Sequence, residues 1–307
     1  MNILEKRHPS VDGKNTLYGK IYIPDGEIKG TVQIVHGMTE HIDRYEPLMR
    51  ALADNGYVAF GHNHIGHKNS SPDDELGHFG YSDGFRHLIN DTNAFGDAVC
   101  ADYPDKKRFI FGHSMGSFVV RLAILREPER FSGVIVCGTG GPNKLSGLGL
   151  MFCNLVTLIK GGKHVSKTVY GLAFSKYNER FASENNPRSW ITTDSDIRDK
   201  YAADRYCNFK FSVCGMHDLI KLQHLCNKPI WAEAVEKTLP IYLVSGDNDP
   251  VGDYGEGVKT VYNRLVKAGC DVQMKLSNGA RHEILNDFTR NEAITDILAF
   301  IEKETNK

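Results

Sequence analysis

The chain reads as an α/β fold: a mostly parallel central sheet flanked by helices, with a helical insertion in its second half. Two observations predict this. Short β-rich runs alternate with helical runs through residues 1–138, and the alternation resumes over 237–307. Between them, residues 139–236 hold no clear strand. We therefore expect one core built from 1–138 and 237–307, with 139–236 inserted as a helical cap. The core would be incomplete without its C-terminal strands, which argues against two separate domains.

The elements follow in order. Leu17–Ile23 alternates and ends at Pro24-Asp25-Gly26, a strand closed by a turn. Gly30–Val35 is a β-branched strand that runs into His36-Gly37. Tyr45–Asn55 has helical spacing at Leu48, Met49 and Leu52, with Gly56 as a stop. Tyr57–Gly61 is a strand, Asp83–Tyr103 a helix halted by Pro104, Arg108–Phe111 a strand, Met115–Arg126 a helix and Gly133–Val136 a strand. In the insertion, Leu145–Ile159 is apolar and helical, and Arg198–Tyr206 is polar and helical. Pro240–Val244 and Val272–Leu276 are strands, and Val258–Lys267 and Glu292–Ile301 helices. Such short apolar strands suit a sheet buried on both faces.

Bulk properties exclude several function classes. Of 307 residues, 41% are hydrophobic and 24% charged, an ordinary globular balance. The net charge of −1 gives no electrostatic means of capturing nucleic acid. The N-terminal Met1-Asn2-Ile3-Leu4-Glu5-Lys6-Arg7-His8 is not a signal peptide, and no apolar run approaches the roughly 18 residues of a spanning helix. The seven cysteines are scattered without a Cys-x-x-Cys pair, which suggests reduced thiols in a cytoplasmic protein.

The chemistry centres on Gly112-His113-Ser114-Met115-Gly116, placed between a strand and a helix. Five residues of this kind arise by chance. In a strand–turn–helix context they specify a sharp turn that pushes Ser114 out, with glycines two residues either side giving room. The helix N-terminus there favours developing negative charge.

A serine hydroxyl needs a base within reach, and the base needs an orienting acid. Chain order for such a turn places the acid after the nucleophile and the histidine after the acid. Asp249 follows the strand at 241–244, and His282 follows the strand at 272–276. Asp247 competes with Asp249 for the acid role. His217 and His224 are bases by type, but they precede the acid and lie in the insertion. The tetrahedral intermediate needs two N–H donors. One comes from Met115, and the other from Met38 in the loop after the strand at 30–35.

His36-Gly37-Met38-Thr39-Glu40-His41 with Arg44-Tyr45, Gly66-His67, the Ser114 motif, Gly246-x-x-Asp249 and His282-Glu283 together resemble the monoacylglycerol lipase and lysophospholipase group of α/β-hydrolases, a group that also carries serine aminopeptidase-like descriptions. The resemblance covers nearly the whole chain, including Asn186-Pro187-Arg188-Ser189-Trp190, Asp194, Tyr201 and Asp204 in the insertion. It implies an α/β-hydrolase fold, the acid role for Asp249 over Asp247, and a mobile cap over an acyl pocket. It calls for no cofactor and no metal. One segment departs: where the family carries Asp-x-x-Gly-His-Gly-x-Ser, this chain has Asn63, Ile65 and Lys68 in place of aspartate, arginine and the second glycine.

The substrate expected is a carboxylic ester of an acyl lipid, monoacylglycerol or lysophospholipid, cleaved through an acyl-enzyme on Ser114. Residues 145–159 of the cap are the candidate acyl-binding face and a candidate for transient membrane-surface contact. Lys160, Lys163 and Lys167 follow them. Alternatives on the same triad are a small-ester carboxylesterase and an aminopeptidase, the latter needing acids such as Asp194, Asp196, Asp199 or Glu233 to hold an α-amine. More remote are a non-catalytic binding protein and a zinc hydrolase using His62, His64 and His67, spaced like a metal-binding run.

Overall fold

The computed structural model describes residues 1–307. Alternation in the sequence becomes one eight-stranded sheet. Its strands are β1 (Asn2–Pro9), β2 (Thr16–Ile23), β3 (Gly30–Val35), β4 (Tyr57–His62), β5 (Lys107–His113), β6 (Gly133–Cys137), β7 (Ile241–Gly246) and β8 (Val272–Ser277). They lie in the order β1-β2-β4-β3-β5-β6-β7-β8. The β1/β2 and β2/β4 pairs are antiparallel, and all the others are parallel.

Every residue of β3, β4, β6 and β7 is buried, as expected for strands covered on both faces. Helices α1 (Glu46–Asp54) and α10 (Arg290–Thr305) cover one face, around Phe109, Phe111, Ile135, Tyr242 and Phe300. On the other face α2 (Gly84–Cys100), α3 (Met115–Ala123) and α9 (Glu256–Lys267) pack around Ile110, Phe95, Val119 and Leu243.

β1 was not legible in the sequence. Its residues Asn2–Glu5 are exposed and it reads as charged chain, which is how an edge strand avoids pairing with another molecule. Between β6 and β7 the chain forms only helices: α4 (Ser146–Lys160), α5 (Lys167–Phe174), α6 (Ser195–Ala203), α7 (Val213–Cys226) and α8 (Pro229–Ala234), with 3₁₀ turns at Glu179–Glu184 and Arg205–Cys207. The polar helix expected to reach Tyr206 stops at Ala203, where Asp204 is extended and caps the next turn through Tyr206 N. α7 packs on α2, α3 and α4, so it joins the insertion to the core. No helix is long and apolar enough to cross a membrane. All seven cysteines are free, and six are buried.

Parallel strands bring their following loops to one edge of the sheet. The segments after β3, β5, β7 and β8 therefore gather there, and they carry Gly37–His41, Ser114, Asp249 and His282.

The turn after β5 tolerates no side chain. A Cβ on Gly112 would stand 2.5 Å from the Gly116 carbonyl oxygen, and one on Gly116 would overlap the Val35 carbonyl oxygen. In α5, by contrast, a Cβ on Gly171 would meet nothing. Gly116→Ala is thus expected to destabilise by about 2 kcal/mol or more, through overpacking against rigid backbone. Gly171→Ala is expected to stabilise by about 0.5–1 kcal/mol. Urea denaturation midpoints check both signs.

Candidate active site

Ser114 is the residue between β5 and α3, with φ 53° and ψ −119°. L-residues rarely adopt this conformation, and the strain is held by packing on both sides. It leaves the Ser114 side chain half-buried and directed at the loop edge. Its Oγ lies 2.9 Å from His282 Nε2. His282 Nδ1 lies 2.9 Å from Asp249 Oδ2. A carboxylate only accepts, so Nδ1 carries the proton and Nε2 is left to accept from the serine. Asp249 is fully buried, and it also accepts from Ser245 Oγ (3.3 Å) and Val251 N (2.8 Å). The structure thus joins Ser114, His282 and Asp249 in one chain of hydrogen bonds.

Asp247, the rival acid, does something else. Its Oδ1 accepts from Gly279 N at 2.7 Å, which ties the loop after β7 to the loop that carries His282. His217 and His224 stand apart: His217 faces Asp218, and His224 Nδ1 meets Ser146 Oγ at 2.7 Å.

A buried charge network lies beneath this chain. Glu40 accepts from Gly37 N, from Tyr45 OH (2.7 Å) and from Arg44 Nη1 (3.0 Å). Arg44 also makes a two-pronged bond to Glu283, at 2.7 and 2.6 Å. His113 Nδ1 lies 3.1 Å from Glu40 Oε1, and its Nε2 lies 3.3 Å from the His282 carbonyl oxygen. Both partners are acceptors, so only an imidazolium donates both bonds. Burial pushes the His113 pKa down, but the Glu40 carboxylate outweighs it and the net shift is upward. Burial likewise pushes Glu40 up, yet His113 and Arg44 hold its carboxyl far below the usual range. Two carboxylates and two cations balance. Through them the backbone of Gly37 is fixed relative to His282.

Comparison with known proteins gives the kind of enzyme. Residues 26–289 match the family model "Serine aminopeptidase, S33". The chain belongs to this family. It is 25% identical over 270 residues to a monoglyceride lipase homolog of Monkeypox virus, covering 87% of each chain. It is 24% identical over 301 residues to a monoacylglycerol lipase of Mycolicibacterium smegmatis, covering 97% of this chain and 96% of the other. A thermostable carboxyl esterase from Bacillus coagulans, solved with glycerol, superposes with a TM-score of 0.94 at 32% identity over 99% of both chains. The protein is a monoglyceride lipase-like α/β-hydrolase and an ester hydrolase.

The segment that departs from the family pattern is braced by other means. Asn63 Oδ1 accepts from Ile42 N at 2.9 Å, and its amide donates to Asn69 at 2.8 Å. Ile65 is buried in the core. Lys68 pairs with Asp43 and approaches His41 Nδ1 at 3.3 Å.

His62, His64 and His67 do not form the metal set that their spacing suggested. No three of their ligand atoms come within 4.8 Å of one another; the group that does so is His41, Asp204 and Cys207. His64 Nε2 is turned to the His36 carbonyl and His67 Nδ1 to that of Ile65. With His36, the three are packed as fully buried rings behind the Gly37 loop, where His36 Nε2 accepts from His64 N. β4 ends at His62, and His64 and His67 follow in irregular chain, so their spacing does not by itself aim three rings at one point.

The insertion reaches this edge too, as the resemblance implied, through contacts that the sequence did not specify. Trp190 and Ile191 accept backbone bonds from His282 N (3.4 Å) and Glu283 N (2.8 Å). The Trp190 ring lies 5.2 Å from that of His282. Tyr201 OH donates to the Thr39 carbonyl at 3.0 Å, and Thr39 itself has φ 50°. Arg44 lies over the Tyr201 ring. The burial of Glu40 within a polar segment would have pointed to the charge network, but a single sequence does not display burial.

Two outcomes follow. Glu40→Gln leaves the charge network short of one anion. It is expected to cost about 3–5 kcal/mol, and His113 should titrate at lower pH by NMR; an unchanged His113 titration would contradict the imidazolium assignment. The second outcome concerns acid. Burial lowers the pKa of His36 and His62 well below 6.5, of His64 to about 4 and of His67 to about 3. Below 6.5 the unfolded chain binds more protons than the folded one. These histidines therefore contribute full stability above pH 6.5, and lose it as pH falls toward 4 and 3, each by up to about 1.4 kcal/mol per pH unit. His113 has the opposite sign and loses its contribution as pH rises. Urea midpoints measured from about pH 8 to 4 should fall steeply below 6.5.

Proposed function

We propose that the protein hydrolyses carboxylic esters of acyl lipids, monoacylglycerol or lysophospholipid, through an acyl-enzyme on Ser114. The single observation carrying this is the Ser114–His282–Asp249 hydrogen-bond chain, with the backbone amides of Met38 and Met115 on the segments that follow β3 and β5. Neither amide is paired to an acceptor within the protein.

The reaction follows from the geometry. Ser114 Oγ attacks the ester carbon as its proton passes to His282 Nε2. Asp249 stabilises the imidazolium and holds the tautomer. The carbonyl oxygen becomes an oxyanion that the Met38 and Met115 N–H groups bind. As the C–O bond breaks, His282 gives its proton to the departing alcohol. Water then enters, loses a proton to His282 and attacks the acyl carbon. The fatty acid leaves, and the proton returns to Ser114. No cofactor enters any step.

Residues 139–236 act as a cap in this reading. Leu148, Met151, Leu155, Leu158 and Ile159 of α4 are all exposed, and they recur at helical spacing on one apolar strip. Lys144, Lys160 and Lys163 flank it. A strip of this kind suits transient contact with a lipid aggregate. The Monkeypox virus and Mycolicibacterium smegmatis relatives are named for monoglyceride and monoacylglycerol substrates, which supports an acylglycerol substrate. Peptidase action draws less support. Asp194, Asp196, Asp199 and Glu233 are all exposed, and Asp194 is occupied as the N-cap of α6.

The test is a panel of monoacylglycerols, lysophospholipids, p-nitrophenyl esters of graded length and aminoacyl amides. Ser114→Ala should abolish turnover. Asp249→Asn should cost about four decades in kcat, and Asp247→Asn far less. Long acylglycerols should be preferred; faster turnover of aminoacyl amides would overturn the substrate assignment, and equal loss at the two aspartates would overturn the triad.

A further inference from the structure

Outside the Ser114 site, three potential metal-ligating side chains converge. We propose that His41, Asp204 and Cys207 form a binding site for a zinc-type divalent ion, which staples the helical insertion to the loop after β3.

The ligand atoms of the three residues all lie within 4.8 Å of one another. Imidazole nitrogen, carboxylate oxygen and thiolate sulfur are together a zinc donor set, and a poor one for magnesium or calcium. The two halves of the site come from different parts of the chain. His41 immediately precedes the 3₁₀ turn Ile42–Tyr45, next to the Gly37–Glu40 loop. Asp204 caps the 3₁₀ turn Arg205–Cys207, so Asp204 and Cys207 stand one tight turn apart. His41 Nε2 already meets Asp204 Oδ2 at 2.8 Å. The ion would take the place of that bond, and both groups would turn to it.

The surroundings suit the ion. His41 Nδ1 lies between Asp43 Oδ2 at 3.5 Å and Lys68 Nζ at 3.3 Å, so ligation through Nε2 requires the Nδ1–H to turn from its lysine contact to the Asp43 carboxylate. The Asp43 charge is itself balanced by Lys20 and Lys68. The Cys207 thiol is free and buried, while the Asp204 side chain is 32% exposed and gives the ion and a fourth, water ligand a way in. Capture of Zn²⁺ by the Cys207 thiol forms the Zn–S bond and releases one proton to solvent. Asp204 carboxylate and Cys207 thiolate together neutralise the ion. Tyr201 holds the Thr39 carbonyl one helical turn away, so the ion would reinforce an existing contact between insertion and loop.

The site is independent of the hydrolytic reading, and its test does not use activity. Untagged, chelator-stripped protein is titrated with Co²⁺ and then Zn²⁺. One equivalent of Co²⁺ should give tetrahedral d–d bands and a thiolate-to-cobalt charge-transfer band, Zn²⁺ should displace it, and the melting midpoint should rise with Zn²⁺. Cys207→Ser should abolish the charge-transfer band. Asp204→Asn, at a partly exposed position, should weaken Zn²⁺ binding at least about tenfold and keeps the test decisive if the cysteine variant misfolds. Absence of the charge-transfer band, its survival in Cys207→Ser, or an affinity unchanged in Asp204→Asn would overturn the proposal.

Discussion

The Arg44 guanidinium joins two loops that are 239 residues apart in the chain. Its Nη1 donates to both Glu40 and Glu283, and its Nη2 donates to Glu283. Glu40 fixes Gly37 N, and Glu283 follows His282 directly. The geometry at Ser114 depends on that join. A hydrogen bond of 2.9 Å between Ser114 and His282 survives only if the loops after β5 and β8 keep their separation, and β5 and β8 are not neighbours in the sheet. Arg44 suits the task because its planar fork binds carboxylates at two points and never loses its charge. Such a pair is costly to bury, and its value here is positional more than energetic.

His113 completes the arrangement. It lies inside the Gly-x-Ser-x-Gly segment, so its place in the sequence is set by the turn, while both its nitrogens reach across to other loops. The loops after β3, β5 and β8 are thereby one hydrogen-bonded unit. The insertion adds to it from outside, through Trp190 and Ile191 on the His282 loop and Tyr201 on Thr39. Movement of residues 186–208 would disturb the loops after β3 and β8 directly, whereas α4 and α5 bear the exposed Leu148, Met151, Leu158 and Leu172.

Much of this was legible in the sequence because the signals were local. Strands such as Gly30–Val35 are buried on both faces and stand out by composition, and the Gly112–Gly116 turn needs glycine for reasons one segment contains. Chain order alone then pointed to His282 and favoured neither Asp247 nor Asp249 decisively. The structure separates them by a single fact, that Asp249 faces the imidazole and Asp247 a backbone amide. What stayed hidden was non-local: the Glu40–Arg44–Glu283 network, the imidazolium at His113 and the contacts of Trp190. The edge strand β1 was hidden for the opposite reason, since its exposure removed the hydrophobic pattern. The remote zinc reading of His62, His64 and His67 rested on spacing, which does not report where rings point.

The central claim is that Ser114 is the group that becomes acylated. Brief exposure of the intact protein to a fluorophosphonate, followed by peptide mass spectrometry, measures this directly. The account predicts one adduct per chain, on the peptide carrying Ser114, and none in Ser114→Ala. An adduct on another residue, or labelling that persists at full rate in Ser114→Ala, would contradict it.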